Sequence, residues 1–195
     1  MAPLRGFKEY LADNDHRSHL EEARLSGGEL VFHLHGQRVV AAVIASNETY
    51  GLTLSPRDGP DLALHKTDLK FFHDLEFADR VPSLLKSDAK VRFLGLEPKV
   101  STSGRHFVKN KSLYPLMLDR EVVFLTLLEG EVIRGVLDGF NRYELTVKLK
   151  GGTPVTVMRH AIHELKNKKG RSFLKSVQQR QKAWKESWLW VAEDR

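Results

Sequence analysis

"DREVVFLTLLEGEVIRGVLDGFNRYELTVKLKGGTPVTVMRHAIHEL", residues 119–165, carries the strongest structural signal in the chain. Within it Tyr143, Leu145, Val147 and Leu149 alternate with Glu144, Thr146, Lys148 and Lys150. That is the period of a strand with one buried face. Turns are expected at Glu129-Gly130, at Gly139 to Asn141 and at Gly151-Gly152, where glycine accepts a positive φ at little cost. Gly135 interrupts a strand, which marks a sharp bend. Five short strands in about 45 residues predict a small, strongly curved antiparallel barrel.

The same grammar occurs earlier, in "GELVFHLHGQRVVAAVIASNETYGLTLSPRDGPDLALHKTDLKFF", residues 28–72. "LVFHLHGQRVVAAVIA" mirrors "VFLTLLEGEVIRGVLDG", with Gly36 opposite Gly130. "TYGLTL" mirrors "RYELTV", and "LALHKTDLKFF" mirrors "VTVMRHAIHEL". The chain is therefore an internal duplication of low identity. The organisation that follows is an N-terminal helical segment over 1–27, a divergent first repeat over 28–72 and a connector over 73–111. A second repeat over 112–165 and a basic tail over 166–195 complete it. "SLYPLML" before the second repeat fits a short helix or turn, and the connector has room for a hairpin near Ser103-Gly104. Over 171–190, Phe173, Val177, Trp184 and Trp188 fall on one side at helical spacing, predicting an amphipathic C-terminal helix.

Composition narrows the function. The chain has no cysteine, which excludes disulfides, thiolate catalysis and Cys-based zinc sites. No apolar run reaches the roughly 20 residues that cross a bilayer, and no signal-peptide core follows the first Met, so a cytoplasmic location without membrane contact is expected. The net charge is +6, and the tail from Lys166 onward holds nine Lys/Arg against three Asp/Glu. The first 165 residues, with 22 of each sign, are neutral. Concentrated cations of this kind suit a polyanion, because pairing with phosphates releases counterions. A solvated basic helix is the plainer reading of the same charges.

The second copy also resembles a known family. Leu127-Leu128-Glu129-Gly130, Gly135 and Phe140-Asn141-Arg142-Tyr143, followed by Met158-Arg159-His160-Ala161-Ile162, resemble the two motifs of the Hfq branch of the Sm/LSm proteins. The first copy is more divergent, with Lys66-Thr67-Asp68-Leu69 at the second motif. The resemblance implies two tandem bent five-stranded Sm-like barrels with flanking helices, in a mainly β chain. It also implies single-stranded RNA as partner, favouring uridine-rich sequences, and a role in post-transcriptional regulation. Such units join edge strands into rings of six, so three two-repeat chains would form a pseudo-hexameric homotrimer.

Carried over residue by residue, the resemblance makes Tyr143 a base-stacking residue and His160 a hydrogen-bonding partner of base or ribose. Arg159 and Arg142 would meet phosphate or a base edge. In the first copy Tyr50 keeps the aromatic and Lys66 the cation, while Asp68 adds an unfavourable charge. Lys166, Lys168, Lys169 and Arg171 would add sequence-independent phosphate contacts. On the opposite face Phe32 and Arg38 take the family's adenine-contact positions. Each of these side chains also has a structural reading: Tyr143 as core, His160 as a turn-closing histidine.

Other chemistries are weakly represented. His33-x-His35 and His160-x-x-His163 are close pairs without cysteine or an obvious carboxylate, so neither a metal nor any other cofactor is expected. No phosphate-binding glycine loop, nucleophile elbow or paired-carboxylate signature is present, so no enzyme is expected. The competing function is an Sm-like scaffold that assembles proteins without RNA.

Overall fold

A computed structural model describes residues 4–98 and 108–174. Ten strands form one continuous antiparallel path, with an eleventh, two-residue strand beside it. The first five are β1 (Leu30–Leu34), β2 (Val39–Asn47), β3 (Gly51–Pro56), β4 (Leu62–His65) and β5 (Leu69–Asp74). After the short β6 (Lys86–Ser87) come β7 (Val122–Leu127), β8 (Glu131–Phe140), β9 (Glu144–Lys148), β10 (Pro154–Met158) and β11 (Ile162–Asn167). Their spatial order is β11-β7-β8-β9-β10-β5-β1-β2-β3-β4, so each half follows the same pattern: fifth, first, second, third, fourth.

The halves match in detail. Strand pairing slips between Ile44 and Ser46 in β2 and between Leu137 and Gly139 in β8. A second slip falls between His33 and Leu34 in β1 and between Ile162 and Glu164 in β11, each time where the first and fifth strands pair. Such bulges bend a strand and increase its twist. Gly135 is set by a close approach of strands. A Cβ there would sit 2.4 Å from the Lys148 carbonyl oxygen and 2.6 Å from Val147 Cγ1, so only glycine lets β8 and β9 approach this closely.

The chain is mainly β, and the two five-stranded units are joined: the described strands make one antiparallel sheet that does not close on itself. The halves meet where β10 pairs β5, Thr156 opposite Phe72 and Val157 opposite Phe71. Being central, β5 is buried on both faces from Leu69 to His73, which explains why "LKFFH" shows no alternation. The two cores interlock across the joint. Phe71 packs into the second half's core, while Met158 and Ala161 pack into the first half's.

Helices cover the sheet, with α1 (Phe7–Asn14) and α2 (His19–Ser26) preceding β1. Gly27 ends α2 in a left-handed conformation, and the Ser18 hydroxyl caps its start by accepting from the Glu21 N–H. Where it is described, the connector forms α3 (Arg80–Leu84), β6 and α4 (Ala89–Phe93). The Ser103-Gly104 position lies outside the described residues. "SLYPLML" lies within a true helix, α5 (Asn110–Leu118). The predicted C-terminal helix is corrected at its start. Residues 171–174 are not helical, and Ser172 forms a β-bridge with Lys166; the remainder of that helix lies outside the described residues. No helix among the described residues is long and apolar enough to cross a membrane.

Candidate nucleic-acid interface

Tyr50 and Tyr143 occupy the same place in the two halves, on the turn between the second and third strands. Both are largely exposed, at 71% and 60%. The carbonyl of each accepts a hydrogen bond from the first residue after the fourth strand: Lys66 N–H to Tyr50 at 2.8 Å, Arg159 N–H to Tyr143 at 2.9 Å. A 3-10 turn follows at once in both copies, Lys66–Asp68 and Arg159–Ala161. The backbone thus brings these two stretches of each half together.

Side chains around these tyrosines differ between the copies. In the second, Asn141 Oδ1 accepts from the N–H groups of Tyr143 and Glu144, both at 2.8 Å, and sets the turn. The Arg142 guanidinium lies over the Tyr143 ring, 5.5 Å from its centre, and both are exposed. In the first, the Tyr50 ring runs nearly parallel to that of His65, with centroids 6.2 Å apart. Lys66 is half-buried close to Glu144, Glu21 and Glu48, and burial lowers its pKa despite those carboxylates.

Arg159 and His160 face inward. The Arg159 guanidinium donates to Asn110 Oδ1 at 2.7 Å and to the Val108 carbonyl, and it lies over the Phe140 ring. Burial pushes its pKa down to about 10, which still leaves it charged at neutral pH. His160 Nε2 is 2.9 Å from the carbonyl oxygen of Leu69, across the joint between the halves. Of the tail cations, Lys166 pairs with Glu164 at 2.6 Å, whereas Lys168, Lys169 and Arg171 are exposed on the turn after β11.

Three features escaped the sequence. Glu144, an outward position by alternation, is 2% exposed and accepts from the backbone N–H groups of His19 and Leu20 and from Asn141 Nδ2. It ties the start of α2 to the second half. Lys70, also 1% exposed, is clamped by Glu129 and Glu131 across the joint. His33 meets His73, Nε2 to Nε2 at 3.2 Å, while His35 lies apart beside Glu129. The His73 Nδ1–H donates to the Asp74 carbonyl, so its Nε2 accepts and His33 donates, both rings being neutral. Among the described residues no three His, Asp or Glu side chains gather as a metal site requires.

No family model, curated protein or solved structure matches the chain.

Proposed function

We propose that the chain is a single-stranded RNA-binding protein built from two Sm-like repeats, with uridine-rich RNA as its ligand. The observation that supports it is the pair of exposed tyrosines at equivalent turns, one of them lying under a free-standing arginine face. An exposed aromatic ring on a rigid turn offers a stacking platform, and Arg142 offers a phosphate or a second stacking plane. Bases would stack on these open rings. Lys168, Lys169 and Arg171 supply cations for the backbone. Arg159 and His160 act in this reading as the frame that holds the Tyr143 turn and the joint. The reading needs no ring, since one chain carries both tyrosines.

Fluorescence anisotropy with labelled oligo-U and oligo-A across a salt series tests it. Stacking contributes about 1–3 kcal/mol per base, so Tyr143→Ala should weaken oligo-U binding by about 5- to 150-fold. Tyr50→Ala should give a separate loss, and affinity should fall linearly on a log–log salt plot. Equal binding by wild type and the double variant would remove the tyrosines from the interface.

A scaffold without RNA is the second reading, favoured by one observation. Both motif residues expected to touch RNA, Arg159 and His160, have partners inside the protein. Absence of RNA binding at low salt would select it.

A further inference from the structure

The two ends of the sheet are unlike. At one end no described strand lies beyond β4. At the other, the chain leaves β11, turns through residues 168–170 and runs back along the strand's outer edge. The Asn167 N–H donates to the Arg171 carbonyl at 3.1 Å, and the Phe173 N–H donates to the Leu165 carbonyl at 2.9 Å. Asn167 Oδ1 holds the turn by accepting from the N–H groups of Lys169 and Arg171, and Gly170 takes a φ of +76° there. Phe173 packs on the core and Leu174 is buried. At Leu165 and Asn167 the edge groups that a neighbouring strand would use are occupied by the chain itself.

The joint chemistry is one-sided too. Inside the chain, β5 meets β10 with Lys70 between Glu129 and Glu131, and Glu129 also accepts from the Gly36 N–H at 2.7 Å. A head-to-tail joint between copies would set β11 of one against β4 of the next. By internal equivalence His163 would then take the place of Lys70, while His35 and Gln37 would take those of Glu129 and Glu131. That joint has no cation–carboxylate clamp.

We infer that residues 168–173 seal the β11 edge and keep the chain a self-contained two-unit body, so that strand-to-strand ring closure through β11 requires this turn to be undone. The inference rests on strand pairing and stands apart from RNA binding.

Light scattering after size exclusion, on the full-length chain without RNA over a wide concentration range, tests it. Wild type should have the mass of one chain, 22.3 kDa. Asn167→Ala/Gly170→Val removes the turn's acceptor and its left-handed residue, and should shift the mass to multiples that grow with concentration. In the cysteine-free chain, Lys166→Cys/Ser172→Cys locks the bridge by a disulfide. Adding it to the opened variant should restore the single-chain mass under oxidising conditions and lose it on reduction. A wild type of multiple-chain mass that the lock leaves unchanged overturns the inference. So does an opened variant that is folded by circular dichroism yet stays single. If the opened variant does not fold, the locked chain decides alone: single-chain mass equal to wild type supports the seal, and multiple-chain mass overturns it.

Discussion

His33 shows how far a single side chain is governed by its surroundings. Its ring stacks on Phe71, with centroids 4.0 Å apart, and bonds to His73. Burial, reinforced by the nearby His73 and Lys70, pushes its pKa down to about 3, and burial also lowers those of His35 and His73. In the unfolded chain these imidazoles titrate near 6.5. Above that pH both states are neutral and the histidines add no pH dependence. As pH falls below it, the unfolded chain binds protons that the folded chain refuses, so stability drops all the way down to the folded pKa. Each such imidazole contributes up to about 1.4 kcal/mol per pH unit. The melting temperature should therefore fall between pH 7 and pH 5, and His33→Gln/His73→Gln should flatten that slope; an unchanged slope would exclude the pair as its source. Tyr143 and Glu144 show what sequence conceals at this scale. Alternation puts tyrosine inside and glutamate outside, yet the Asn141 turn turns the ring out, and N–H groups arriving 125 and 124 residues away draw the carboxylate in.

The joint between β5 and β10 belongs to the scale of elements. Strand positions, turn glycines and the duplication were legible in the sequence because they rest on short-range periodicity and φ requirements. The joint was not, because its pairing is chosen by two distant edges, and its buried Lys70 reads as an ordinary polar residue in an apolar run. A buried ion pair costs more to break than it contributes when made, since one partner's loss strands the others' charges. Lys70→Ala should destabilise the chain by about 3–5 kcal/mol in urea unfolding. Lys70→Met combined with Glu129→Gln and Glu131→Gln should recover most of that loss. Equal destabilisation by both would mean that the charge network itself is net stabilising, because Met keeps most of the packing of the Lys70 stem.

As a whole the molecule is one continuous sheet whose two cores exchange side chains, so the halves should not melt apart. We expect a single cooperative transition, with calorimetric and van't Hoff enthalpies in agreement. A Glu144→Ala variant, which releases α2 from the second half, should lower the melting temperature without splitting the transition; two resolved steps in either protein would show that the halves fold independently. The repeat order could be inferred from sequence at this scale because both copies carry the same turn signals. The openness of the sheet and the route of 171–174 could not, because Phe173 falls at helical spacing with Val177, Trp184 and Trp188 while the bridge from Ser172 to Lys166 depends on the turn after β11.

The pairing of Tyr10 with Phe140 has a consequence in time. The tyrosine hydroxyl both donates to the Phe140 carbonyl at 2.9 Å and accepts from its N–H at 2.7 Å, across 130 residues of chain. A ribosome adding about 5–20 residues per second makes Tyr10 of α1 and delivers Phe140 roughly 7–26 s later. For about the second half of that interval the first half is complete in sequence while Phe7, Tyr10 and Leu11 still lack Phe140. A helix made well before its seat is thus among the last of the described elements to dock, and it closes over the second half as a latch.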